Sequence, residues 1–440
     1  MKLTVHPGGA LAGSLMPPGD KSITHRAILL GLLSEQPVSI SGANSGADCA
    51  ATLACARALG ATVEGGGESM TVRGGDLSEP AGVLDCGNSG TALRLLAGVL
   101  AARPFLSVLS GDGSLVSRPV DRILVPLRSM GASLWARAGD RLPPLVIRGA
   151  KLSPIRYRLP VASAQVASCL MLAGLSARGE SRLEIPGPAR DHTERMLRAA
   201  GVPIEESALE SGGRVVTLEG PARPRGGRYR VAGDFSAAAF FLAAAAAVPG
   251  ARVTATGVGL NATRTGLLDV LEQMGARVER GAVREEMGEP VGDVTVTGGE
   301  VLNAIEVPPN WVPRMIDEVP AWTIAASVAR GKSRLRGASE LRVKESDRIA
   351  LLARNLGTLG IAAREMEDGL EIEGGRPRGG TVAAGGDHRI AMAFALIGSM
   401  ASAPVIIDDA RNIATSYPGF QAALTELGGR VESGHRGATA

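Results

Sequence analysis

Cationic residues recur in this chain beside short polar turns that lead into apolar runs. Lys21 and Arg26 lie in Gly19-Asp20-Lys21-Ser22-Ile23-Thr24-His25-Arg26. Arg94 follows Gly87-Asn88-Ser89-Gly90-Thr91, and Arg118 lies in Ser117-Arg118-Pro119. Arg190 precedes Asp191-His192, and Arg389 closes Gly386-Asp387-His388-Arg389. Lys344 and Arg348 fall four apart in Arg342-Val343-Lys344-Glu345-Ser346-Asp347-Arg348, a spacing that predicts one shared helical face. The positive end of a helix dipole opposes a cation unless an anion lies between them. Helix starts themselves collect anions, and Arg meets phosphate and carboxylate with two parallel donors. The set predicts a site for a substrate carrying several phosphate or carboxylate groups. Asp317 and Glu345 are the acids placed among these cations, and they predict proton transfer there.

Each residue alone has a plainer reading. Asp20, Asn88, Asp234 and Asp387 are the residue types that cap helices. Lys344, Glu345 and Arg348 by themselves would be a solvated helix edge. Residues 65–67, Gly-Gly-Gly, read as a tight turn and residues 223–230 as an exposed turn. His25, His192 and His388 show no metal-ligand spacing. Recurrence at equivalent edges of a repeat is what favours function.

That repeat has six near-copies. Capping positions Asp20, Asn88, Ser163, Asp234, Asp317 and Asp387 fall about seventy residues apart, each before an apolar run. A second marker has the same spacing: a more polar helix ending at Gly60, Gly131, Gly201, Gly275, Gly360 or Gly428, then a short strand-like run. Further strands are predicted at 3–5, 37–41, 71–73, 105–109, 145–148, 182–185, 215–218, 252–256, 294–297, 333–336, 370–372 and 405–407. Strands alternating with helices throughout give an α/β class. The capped helices are apolar nearly all round, so they belong inside, three per domain, with strands and more polar helices outside. The predicted domains are 1–18 with 233–440, and 19–232, with the first residues pairing into the C-terminal half. Three helix starts per domain would then gather on one face and form an anion-collecting cleft.

Composition excludes several classes. The 440 residues carry 47 basic and 44 acidic side chains and only 3% aromatics, which argues against a nucleic-acid partner. Cys49, Cys55, Cys86 and Cys169 form no zinc-type spacing and fit a reduced, cytoplasmic setting. The N-terminus does not read as a signal peptide, and the most apolar run, 237–248, is too short to span a bilayer. The expectation is a monomer with no cofactor, metal or membrane partner.

Residues 19–26, 87–94 and 342–348 resemble signatures of the EPSP synthase family, as do Asp191-His192-Thr193-Glu194, Pro313-Arg314-Met315-Ile316-Asp317-Glu318 and residues 386–389. The resemblance runs in the family's order from about Pro17 to Pro418. It implies the two-domain inside-out α/β barrel of six βα repeats, the enolpyruvyl transferase fold. It implies transfer of the enolpyruvyl group of phosphoenolpyruvate to the 5-hydroxyl of shikimate 3-phosphate, releasing phosphate, in the shikimate pathway to chorismate and aromatic amino acids. By resemblance, Lys21, Ser22 and Arg26 bind the shikimate ring and its carboxylate. Ser163, Ala164 and Gln165 hold the 3-phosphate and ring, with Arg190 assisting and Lys344 beside Asp317. Lys21, Gly90, Arg118, Gln165, Arg348 and Arg389 hold phosphoenolpyruvate. Asp317 is the base for the 5-hydroxyl, and Glu345 carries the proton to the methylene.

Departures from the family pattern include Ala164 where many members have Ser, Glu340 where some have Asn, and Leu95 where the plant and enteric group has Pro. They place the chain nearer the second bacterial group. Gly90 is not the Ala of glyphosate-tolerant members, so glyphosate is expected to compete with phosphoenolpyruvate. The alternatives are the related transferase acting on UDP-N-acetylglucosamine and a non-catalytic anion-binding scaffold. The first uses a loop Cys that residues 110–119 lack, and the second has no use for Asp317 and Glu345.

Overall fold

The computed structural model describes residues 1–210 and 212–434. The chain divides into two compact units, one made of residues 1–18, 233–284 and the chain from 290 onward, the other of 19–232 and 285–289. The sequence assigns 285–289 to the first domain, but the structure groups it with 19–232. It is the tip of a hairpin in which Arg284–Glu286 pairs with Glu289–Thr297. At that tip the buried side chains of His192 and Glu289 meet at 2.7 Å, and Arg195 donates to the Gly288 carbonyl at 3.2 Å.

Each repeat builds one small sheet, and five of the six have one parallel strand pair at an edge and antiparallel pairs beyond. In the unit containing residues 19–232 these sheets run in the spatial order Gly227–Arg230, Val38–Ser41, Ser69–Arg73, Thr62–Gly66; then Leu84–Asp85, Leu106–Ser110, Leu142–Arg148, Ser133–Ala136; then Arg156–Arg158, Gly179–Ile185, Arg214–Gly220, Ile204–Ala208. Residues 223–230 are therefore not simply the exposed turn expected from their charge. Gly227–Arg230 pairs in parallel with Val38–Ser41, and Tyr229 is buried. A lone buried aromatic between two arginines gives too little alternation to show as a strand.

The other unit follows the same plan. Ala12–Leu15 lies parallel to Arg252–Gly259, which continues through Glu289–Thr297 to Arg277–Arg280. Lys332–Leu335, Gly369–Glu373 and Ala362–Met366 form a second sheet, which isolated parallel bridges from Asn303 and Glu306 extend. The third is Gly380–Ala383, Val405–Asp408, Lys2–His6 and Arg430–Gly434, so the first strand of the chain completes the last repeat.

Strands such as Lys2–His6 and Leu106–Ser110 alternate exposed or half-buried with buried residues, so the sheets cover the outside. The insides are helical. Lys21–Leu33, Gly90–Leu100 and Ala164–Gly174 fill one unit, and Phe235–Ala247, Val319–Ala326 and His388–Met400 the other. Val319–Ala326 is buried along its whole length. Phe240, Phe241, Trp322 and Phe394 have no exposed surface, and burying each large apolar side chain contributes roughly 1.5–3 kcal/mol. Gly98 lets two of these helices approach closely. A Cβ there would lie 2.1 Å from the carbonyl oxygen of Cys169. The outer helices stop where the sequence predicts: Gly60, Gly131, Gly201, Gly275, Gly360 and Gly428 all have positive φ, the left-handed cap that glycine adopts without strain.

Candidate functional site

Caps start the inner helices. Asp20 accepts from the Ile23 N–H at 2.9 Å, Ser163 from Val166 at 3.5 Å, Asp234 from Ser236 at 2.8 Å and Asp387 from Arg389 at 2.9 Å. Two expected caps are corrected. The helix Gly90–Leu100 is capped by Ser89, which accepts from Ala92 at 3.1 Å, and Asn88 is turned elsewhere. Val319–Ala326 begins after Glu318, with no side-chain cap bond, so Asp317 stands outside the helix. Pro320 in its first turn lacks the N–H that a cap would satisfy.

In the unit containing residues 19–232, side chains tie the three helix starts together. His25 spans from Thr52, at 2.7 Å, to Ser89, at 3.4 Å. Arg94 donates to the Gln165 oxygen at 2.9 Å and to the Pro119 carbonyl at 2.8 Å, and Gln165 donates to Thr91 at 3.0 Å. Arg26 donates to Thr193 at 2.7 Å, Ser168 at 2.9 Å and the Ser22 carbonyl at 2.9 Å. Among the described residues those bonds use three of its five donors. Burial pulls the Arg26 pKa down to about 10, with the charge of Arg190 acting in the same direction and Glu194, Asp20 and Glu289 opposing. The guanidinium stays charged at neutral pH. Lys21 pairs with Asp48 at 2.9 Å. Among the described residues Arg118 bonds to neutral oxygens: Asn88 Oδ1 at 2.7 Å, Ser114 Oγ at 2.9 Å and the Asn88 carbonyl at 3.2 Å. Among those residues no carboxylate pairs with its positive charge. Gly90 sits beside these cations, since a Cβ on it would meet Arg94 Nη1 at 2.6 Å and Arg118 Nη1 at 3.7 Å. Ala164 is the first helical residue after Ser163, where the backbone N–H groups point out of the helix. Arg190 is half-buried, and its carbonyl accepts from Arg214 at 3.1 Å.

In the other unit one guanidinium organises the acids. Arg348 is 1% exposed and touches Asp387 at 2.8 Å, Glu345 at 2.7 Å and Asp317 at 3.4 Å. Burial opposes its charge, but the carboxylates of Asp387, Glu345 and Asp317 outweigh burial and raise its pKa. Burial likewise works against the Asp387 carboxylate, and Arg348 overrides it and holds the Asp387 pKa below the usual range. Lys344 lies 2.6 Å from Glu340 and 3.7 Å from Asp317. Arg389 donates to the Asp317 carbonyl at 2.9 Å and lies 3.9 Å from Glu318. Glu318 also accepts from Ser236, which in turn accepts from Arg264 at 2.7 Å. Lys344 and Arg348 do not share one helical face. Lys344 ends the 3-10 turn Ser339–Val343, and Arg348 begins the helix Arg348–Thr358, which Asp347 caps. The Asp347 cap restarts the helix between them.

The internal carboxylates also revise the electrostatic argument. Lys21 and Arg348 are answered within the protein, so the need for a bound anion rests more on Arg26 and Arg118. Sequence reasoning missed Asp48, Ser168, Thr193 and Asp112, which anchor these cations directly or through a neighbour. Asp48 and Thr193 come from the helices Ala47–Ala58 and His192–Ala199, Asp112 from a loop and Ser168 from the inner helix Ala164–Gly174; only Thr193 lay in a motif that the sequence singled out. Among the described residues there is no group of three or more His, Cys, Asp or Glu that could hold a metal ion. Among them, too, no helix is long and apolar enough to cross a membrane.

A family model described as EPSP synthase (3-phosphoshikimate 1-carboxyvinyltransferase) matches residues 5–424. A 3-phosphoshikimate 1-carboxyvinyltransferase of Anaeromyxobacter sp. (strain K) is 50% identical over 435 residues, covering 98% of this chain and 97% of that protein. One from Acidithiobacillus ferrooxidans is 48% identical, covering 96% and 97%. The solved EPSP synthase of Acinetobacter baumannii superposes with a TM-score of 0.87 at 41% identity, over 98% of this chain and 100% of that one. The enolpyruvyl transferase NikO of Streptomyces tendae, 19% identical, shares the fold with a TM-score of 0.78 over 98% of each chain.

Proposed function

The chain belongs to the EPSP synthase family, and we propose that its own residues carry the family's reaction as follows. It is a transferase that moves the enolpyruvyl group of phosphoenolpyruvate to the 5-hydroxyl of shikimate 3-phosphate and releases phosphate. Lys21, Ser22 and Arg26 hold the shikimate ring and carboxylate, and Ser163, Ala164, Gln165 and Arg190 hold the 3-phosphate end. The N–H groups at the start of Ala164–Gly174 suit a phosphate even though residue 164 has no hydroxyl. Lys21, Gly90, Arg118, Gln165, Arg348 and Arg389 hold phosphoenolpyruvate. Lys344 lies by Asp317 and steadies the hydroxyl being deprotonated.

Glu345 delivers a proton to the methylene carbon of phosphoenolpyruvate, and positive charge develops on the adjacent carbon. Asp317 takes the proton of the 5-hydroxyl, whose oxygen attacks that carbon. The adduct is a tetrahedral ketal phosphate. Glu345, now a carboxylate, takes a proton back from the new methyl group as the C–O bond to phosphate breaks, and the double bond is restored. Arg and Lys stabilise the charge that gathers on the departing phosphate.

The observation carrying this reading is that one buried guanidinium touches both acids. Arg348 contacts Asp317 through Nη1 at 3.4 Å and Glu345 through Nη2 at 2.7 Å. Two carboxylates are thus held a guanidinium's width apart, which supports reading one as the base and the other as the proton carrier. An anion-binding scaffold has no need of that pair.

The deciding experiment measures phosphate release from phosphoenolpyruvate with shikimate 3-phosphate or UDP-N-acetylglucosamine as acceptor. Release with shikimate 3-phosphate alone is expected. Asp317→Ala should still bind shikimate 3-phosphate while turnover falls by at least about a hundredfold. Undiminished turnover would remove Asp317 from the mechanism. In the same assay glyphosate should raise the apparent KM for phosphoenolpyruvate, because Gly90 leaves its Cβ position empty beside Arg94. The protein acts as a cytoplasmic monomer in this reading.

A further inference from the structure

Asn88 does not cap the helix that follows it; its side chain instead spans a cation and an acid. Asn88 Oδ1 accepts from Arg118 Nη2 at 2.7 Å, and Asn88 Nδ2 donates to Asp112 Oδ2 at 2.7 Å. The other Asp112 oxygen accepts from the Leu115 N–H at 2.8 Å. The loop carrying Asp112 is pressed onto the turn carrying Asn88. The Asp112 N–H donates to the Gly87 carbonyl at 2.9 Å, and a Cβ on Gly111 would lie 2.2 Å from that same oxygen. Arg118 depends on these neighbours, because among the described residues its buried Nε has no hydrogen-bond partner and the guanidinium is held through its Nη atoms.

An Asn side chain is nearly the same shape when its oxygen and nitrogen are exchanged, but its hydrogen bonding is reversed. Arg only donates, so Arg118 needs the oxygen. A carboxylate only accepts, so Asp112 needs the nitrogen. The carboxylate thereby selects the one orientation of Asn88 that can hold Arg118. We propose that Asp112 is a positioning residue for phosphoenolpyruvate binding, acting through the Asn88 amide to aim Arg118. This rests on the reading that Arg118 holds phosphoenolpyruvate.

Asp112→Asn breaks the selection with little change of shape. If the substituted amide keeps the Leu115 bond with its oxygen, its nitrogen faces the nitrogen of Asn88. Asn88 then turns over and presents a donor to Arg118, and the guanidinium loses an acceptor. Asp112 faces solvent, so water satisfies the freed groups and global stability changes little. The direction of the effect is diagnostic. Removing a negative charge near an anion site would by Coulomb attraction alone tighten anion binding. Positioning predicts the opposite.

The test measures KM for each substrate and the urea midpoint in the full chain for the parent protein, Asp112→Asn, Arg118→Lys and the double variant. Asp112→Asn should raise KM for phosphoenolpyruvate on the order of tenfold, the worth of one hydrogen bond to a charged group. KM for shikimate 3-phosphate should stay within a factor of about two, and the urea midpoint should hold. In the Arg118→Lys background the Asp112 substitution should add little, because its effect passes through Arg118. An unchanged or lower KM for phosphoenolpyruvate in Asp112→Asn would overturn the proposal, as would an effect that persists in full without Arg118. If Arg118→Lys itself leaves KM for phosphoenolpyruvate unchanged, the role of Arg118 falls, and the proposal with it. A raised KM in Arg118→Lys beside a normal Asp112→Asn refutes the proposal alone.

Discussion

His25 shows how a titratable residue can serve structure where helix starts meet. It is fully buried between Thr52 and Ser89. Burial lowers its pKa from 6.5 to about 3, opposed by Asp48 and helped by Lys21 and Arg26. In the unfolded chain this histidine takes a proton near pH 6.5, and in the folded chain only near 3. The folded state is therefore favoured above pH 6.5, and that stability is lost as pH falls through the window, by up to about 1.4 kcal/mol per pH unit. Between pH 6.5 and 5, before most carboxylates titrate, His25→Asn should flatten the dependence of unfolding free energy on pH. Urea melts at several pH values would measure it, and an equal slope in both proteins would mean that another group controls acid stability.

At the scale of the element, five of the six inner helices start on the side chain of one capping residue. Ser89 both caps Gly90–Leu100 and lies beside His25. Ser89→Ala should cost about 1 kcal/mol in urea denaturation, and Ser89→Gly only a few tenths. Equal losses would mean that packing around position 89 outweighs the cap. Much at this scale was legible in the sequence. The polar turns before apolar runs and the glycines after polar helices each rest on local chemistry. Asn88 and Asp317 were misread because a capping residue type names a candidate only. Which of two adjacent side chains reaches the N–H groups depends on backbone angles that other contacts set. Lys344 and Arg348 were misread for the same reason, since Asp347 restarts the helix between them.

At the scale of the whole molecule, each unit is closed by chain that is distant in sequence. Lys2–His6 pairs with Val405–Asp408 and Arg430–Gly434, and Leu3 and Val5 are fully buried. The Val5 side chain also fills the space beside Gly398, where a Cβ would lie 3.1 Å away. Leu3→Ala, at the third position of the sequence, should destabilise the protein by about 2–5 kcal/mol, as a buried core truncation does. Thermal or urea melts would show this. A loss under about 0.5 kcal/mol, the scale of surface substitutions, would mean that the terminal strand contributes little.

The sequence by itself determined the repeat, the α/β class, the inner character of the apolar helices and the family. These follow from periodicity, capping chemistry and short motifs, all of which act over a few neighbouring residues. Tertiary structure alone decided which side chains answer which cations. Asp48 reaches Lys21 from 27 residues away, Asp387 reaches Arg348 from 39, and Thr193 reaches Arg26 from 167. It also decided that Asn88 and Asp112 hold Arg118. Charge pairing and hydrogen bonding act over a few ångströms of space, and nothing in a sequence interval records which distant segments the packing of helices and sheets will bring that close.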